Sequence, residues 1–66
     1  MIINENTLIY DVIIEHPEVE NVFKAHGIRC FGWGGFAYHS IGYAAKVLRI
    51  EINNLIDEIN IVINNR

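Results

Sequence analysis

The chain has 66 residues, of which 52% are apolar, and carries a formal net charge of −3. That length allows one domain and limits its core, because a chain this short buries only about 60% of its unfolded surface. The five basic residues, Lys24, Arg29, Lys46, Arg49 and Arg66, are scattered, which argues against a nucleic-acid partner, and no apolar run approaches the ~20 residues of a membrane span.

Met1-Ile2-Ile3 is an apolar lead-in, either a strand-like arm or a patch folded onto the core. It lacks the charged region and long apolar stretch of a signal peptide. Asn6-Thr7 offers a helix N-cap, Thr7 preferred, because a side-chain oxygen there can accept from unpaired N–H groups. Leu8, Ile9, Val12 and Ile13 follow at helical spacing. Pro17 ends or resets that helix and suits the first position of the next. Glu18 and Glu20 in its first turn complement the helix dipole. Val19, Val22, Phe23 and His26 recur at i, i+3, i+4 and i+7, and Gly27 is placed for a left-handed C-terminal cap.

Residues 28–39 form the irregular centre. With Gly27 they hold four of the five glycines, and they hold Phe31, Trp33, Phe36 and Tyr38 among seven aromatics. This composition predicts a compact loop packed by its own rings, with one helical turn around 34–38. Ser40 is the next N-cap, followed by the stripe Ile41, Ala44, Ala45 and Leu48. Gly42 costs that helix about 1 kcal/mol relative to alanine. Ile50 and Leu55 bracket Glu51 at the spacing of a hydrophobic staple, although glutamate is a poor cap. Ile52, Leu55, Ile56, Ile59, Val62 and Ile63 form the longest apolar face. Ile61 lies off that face, exposed or at a partner surface. The expected fold is all-α: a small orthogonal bundle of four or five short helices around a glycine- and aromatic-rich loop.

Cys30 is the sole cysteine, so it has no partner within the chain. A free thiol in a chain without an export signal fits the cytoplasm. As a candidate reactive thiol it follows a helix cap, could begin a further helix whose dipole stabilises a thiolate, and has the positive charge of Arg29 and His26 nearby. Against that stands a small buried apolar residue, the commoner fate of free cysteine. His26, Cys30 and His39 are ligand types for zinc or iron, but their spacing matches no standard site and no metal is assigned. Gly32-Trp33-Gly34-Gly35 lacks the lysine–serine ending of a phosphate loop, and no cofactor is assigned. The candidate binding residues are His26, Arg29, Phe31, Trp33, Phe36 and His39. Asp57 and Glu58 read as solvated surface.

Several segments together carry a resemblance. They are Thr7-Leu8-Ile9 with Val12, then His16-Pro17-Glu18, then Val22-Phe23-Lys24-Ala25-His26-Gly27-Ile28 leading to Cys30. Ser40-Ile41, Ala44-Ala45-Lys46-Val47, Ile50 and Asn54-Leu55-Ile56-Asp57-Glu58-Ile59-Asn60 continue it over nearly the whole chain. The chain resembles the hybrid-cluster-protein-associated redox disulfide domains and is more distantly similar to the N-terminal domain of iron–sulfur cluster repair di-iron proteins. The resemblance implies an all-α fold and a C-x-x-C redox site. Its first cysteine falls on Cys30 and its second on Trp33, so the dithiol chemistry does not carry over.

Two functional readings follow. The first is a non-enzymatic binding or assembly module, a homodimer or the ligand of another protein, working through the loop around Cys30. The alternative is a monothiol redox or sulfur-handling accessory protein. A third, metal held between two chains, would need a Cys30 from each.

Overall fold

The computed structural model describes residues 1–64; Arg66, counted above among the scattered cations, lies outside them. The fold is all-α. Four helices, α1 (Ile9–Glu15), α2 (Glu20–Ala25), α3 (Ile41–Leu48) and α4 (Ile52–Asn64), are joined by a 3₁₀ turn at Pro17–Val19 and the long loop before α3. Among the described residues the β-structure is a lone antiparallel bridge between Leu8 and Ser40.

That bridge organises the fold. The first N–H groups of any helix lack partners within it. Here two helices solve the problem for each other with main-chain carbonyls. Ile9 N donates to His39 O (3.1 Å) and Tyr10 N to Ala37 O (2.8 Å) at the start of α1. Ile41 N donates to Thr7 O (2.9 Å) and Gly42 N to Glu5 O (2.8 Å) at the start of α3. The four bonds interconvert when residue n is exchanged with residue n + 32, so the junction has a local two-fold.

This corrects the expected cap at Thr7. Leu8 is the N-cap of α1 and makes no side-chain cap bond. Thr7 Oγ1 turns back to accept from Asn4 N (3.0 Å), closing the turn that brings Glu5 and Thr7 to α3. The lead-in folds onto the core through Ile3, which is buried, while Met1 and Ile2 are exposed.

The other helix ends follow their sequence signals more closely. Pro17 opens a 3₁₀ turn that runs into α2. Gly27, at φ +80°, closes α2: Ile28 N donates to Phe23 O (2.9 Å) and Gly27 N to Lys24 O (3.0 Å), the paired bonds of a Schellman ending. Ser40 Oγ accepts from Tyr43 N (3.0 Å) to cap α3. Arg49 leaves α3 at φ 58°, a conformation that glycine adopts at less cost. Glu51 serves α4 despite its poor capping propensity: its carboxylate accepts from Asn54 N (2.8 Å) and its carbonyl from Leu55 N (3.2 Å).

The core takes Ile9, Val12 and Ile13 from α1, Val19 and Phe23 from the second helical segment, and Ile28 and Cys30 from the loop. Ile41, Ala44 and Ala45 of α3 and Leu55 and Ile59 of α4 complete it. Helix α4 packs on α3, on the 3₁₀ turn and on α2. Leu48, expected in the α3 stripe, is partly exposed, and Ile61 is 62% exposed. No helix among the described residues is long and apolar enough to cross a membrane.

Gly42 is where the junction leaves no space. A Cβ there would lie 2.9 Å from Glu5 O and 3.0 Å from Glu5 Cβ. Gly42→Ala therefore destabilises the fold by about 1–3 kcal/mol, the usual cost of overpacking, although propensity alone favours alanine in a helix by about 1 kcal/mol. Urea denaturation followed by circular dichroism checks the sign; unchanged or increased stability would contradict the close approach.

Candidate functional site

The loop from Ile28 to His39 is tied to itself and to α1. Burial alternates at its start: Ile28 and Cys30 point inward, Arg29 and Phe31 outward. Phe36 N donates to Arg29 O (2.9 Å) and Ala37 N to Cys30 O (2.8 Å), folding the loop back on its first residues. The expected helical turn at 34–38 does not form. Two tight turns stand in its place, closed by Gly35 N to Gly32 O (3.1 Å) and His39 N to Phe36 O (2.9 Å). Gly35 is required by space, since a Cβ there would lie 2.4 Å from Cys30 O.

Cys30 is 3% exposed. Its Sγ–H points to Ile28 O at 3.9 Å, a weak contact of the kind a buried thiol makes. Burial pushes the thiol from an ordinary 9.0 up to about 11; the carboxylate of Glu20 pushes the same way and Lys24 opposes both. The features expected to activate it are not assembled. No helix starts at Cys30, Arg29 turns its Nη2 to the carbonyl of Trp33, and His26 Nε2 is hydrogen-bonded to Glu58 Oε2. Only a deprotonated, accessible sulfur is a good nucleophile, and this one is neither.

The weighed trio of Cys30, His26 and His39 is likewise spread out. His26 ties the end of α2 to α4 through Glu58, a residue whose sequence position alone places it on solvated surface. His39 stacks on Tyr43, ring centroids 4.3 Å apart, and meets the edge of Phe36 at 6.0 Å. Among the described residues no three His, Cys, Asp or Glu side chains converge as a metal site.

The candidate binding residues therefore fall into separate groups. Phe36 is half-buried against the core, and with His39 and Tyr43 it makes a ring cluster on α3. Tyr10 and Tyr38 stack at 5.3 Å. Phe31 is about half exposed and Trp33 is 96% exposed. Beside Phe31 lies a cleft of about 380 Å³, with Ile28 and Cys30 in its floor and Glu20, Lys24 and Arg29 around it. Glu20 and Lys24 are not among the site candidates that the sequence offers. Their i, i+4 spacing on α2 was the available signal, but only the loop's return across α2 makes a cleft of it.

Trp33 sits at the apex of a built turn. Gly32 and Gly34 on either side have φ +89° and +73°, a region that L side chains rarely adopt. The Arg29 guanidinium holds the carbonyl between them.

No protein-family model, curated protein or solved structure matches this chain.

The site's chemistry makes a definite demand on Cys30. With the folded thiol raised above its unfolded value, the unfolded chain loses the proton first as pH rises. Cys30 therefore leaves stability unaffected below about pH 9 and lowers it between 9 and about 11. In urea melts across that range, wild type loses stability more steeply than Cys30→Ala, whatever the offset between them. Alkylation at pH 8 proceeds only at the rate of opening; rapid labelling of folded protein would refute the burial.

Proposed function

We propose that this chain is a non-enzymatic binding or assembly module whose working surface is the loop 28–39. The observation that carries the reading is Trp33: a tryptophan 96% exposed, at the tip of a turn that two left-handed glycines permit and whose carbonyl an arginine side chain binds. Tryptophan carries a large apolar area and is among the residues that dominate binding energy when buried at an interface. A loop tied back on itself by main-chain hydrogen bonds loses less conformational freedom on binding than an untied one, which favours affinity. Phe31, also exposed, adds apolar surface to the loop.

The monothiol alternative meets less support. It needs a thiolate at neutral pH, and burial together with Glu20 moves Cys30 away from one. On this proposal, the resemblance to the redox disulfide domains puts an exposed tryptophan where their second cysteine falls.

A photoreactive phenylalanine analogue tests the module. Placed at position 33 and expressed in native cells, it gives a discrete protein adduct that the same analogue at exposed Asp57 of α4 does not. Equal adducts at both positions, or none at position 33, would defeat the reading.

A further inference from the structure

We propose that the partner of this loop is a second copy of the chain, with Trp33 of each copy seated in the other's cleft beside Phe31. The inference rests on the binding-module reading and names its partner.

The cleft suits an indole. Its volume of about 380 Å³ lies at the small end of the ~300–1,000 Å³ range of pockets that enclose organic groups. Phe31 and the stems of Lys24 and Arg29 give it apolar walls, above Ile28 and Cys30, which are buried beneath them. The half-exposed ring of Phe31 offers a face or edge for offset stacking. Lys24 supplies an ammonium for the indole face, the arrangement of a cation–π contact. Glu20 supplies a carboxylate that can accept from the indole N–H.

Position supports a two-fold pairing. Arg29 lines the cleft and holds the main-chain carbonyl of Trp33, so one side chain joins the turn that carries the anchor to the receptor. Trp33 does not fill its own cleft, being almost fully exposed. In a two-fold dimer the same patch is used by both copies, and residue i meets j as j meets i. An axis passing between tryptophan and cleft satisfies both contacts at once.

Size sets the strength. Two indoles bring roughly 300–500 Å² of apolar surface, short of the ~1,200–2,000 Å² of a standard stable interface. Phe31 and the surrounding loop add to it, and the dimer is concentration-dependent rather than permanent.

Trp33 is the only tryptophan in the sequence, so fluorescence excited at wavelengths tyrosine does not absorb reports on its surroundings. In purified protein its emission shifts to shorter wavelength as concentration rises, in step with a monomer-to-dimer transition in sedimentation equilibrium. Trp33→Ala and Lys24→Glu each weaken self-association at least tenfold with helical circular dichroism unchanged, both residues being exposed. Mixed together, the two variants pair with each other more tightly than either pairs with itself, because one tryptophan–cleft contact is restored. A strict monomer at every concentration overturns the proposal. So does a dimer that Trp33→Ala leaves intact, or a mixture no tighter than its components. Should the position-33 cross-linker capture a different protein while the purified chain stays monomeric, this proposal falls and the binding-module reading stands. No adduct at all removes both.

Discussion

Everything in this fold hangs on two helix beginnings capping one another. Helices of seven and eight residues are too short to be stable alone in water. Neither α1 nor α3 spends all its first-turn donors on solvent. The main chain at Glu5 and Thr7 serves α3, and the main chain at Ala37 and His39 serves α1. Each helix therefore holds in place the segment that caps the other. The junction accepts only glycine at position 42 without adjustment, so the residue that weakens α3 by propensity is the one that lets the junction close.

The displayed loop is a consequence of that junction. Its far end is fixed because Ala37 and His39 are bound to α1, and its near end because Gly27 and Ile28 finish α2. Between them, the carbonyls of Arg29 and Cys30 accept from Phe36 and Ala37. Cys30 thus braces the loop with its backbone and fills core with its side chain. The same packing that removes the thiol from water raises its pKa, because the dry interior disfavours the thiolate. Structure and chemistry at this position point the same way.

The outward face of the loop has the opposite character. Burial alternates along 28–31, so the inward pair stabilises the fold and the outward pair, Arg29 and Phe31, meets solvent. Arg29 is spent on holding the turn. Phe31 and Trp33 remain as apolar surface that the chain itself does not cover. Large exposed apolar groups on a rigid frame are a cost to solubility unless something covers them, which is the physical basis for reading the loop as a recognition surface.

The helical content and its punctuation were legible in the sequence. Apolar spacing marked all four helices; Pro17, Gly27 and Ser40 acted as their chemistry requires, because caps and breakers depend on a few neighbouring residues. The cap of α1 was not legible, since its acceptors are carbonyls some thirty residues away and a carbonyl belongs to every residue type. Nor was the turn at 34–38, where Gly35 answers to the carbonyl of Cys30 and not to helix propensity. His26 and Glu58, one on the apolar stripe of α2 and the other on solvated surface, become partners only when α4 packs on α2. For Cys30 the sequence by itself determined that no dithiol can form within the chain. The tertiary structure decided the rest, burying the sulfur beneath the loop and leaving Trp33 in water, because exposure is a property of packing and not of spacing.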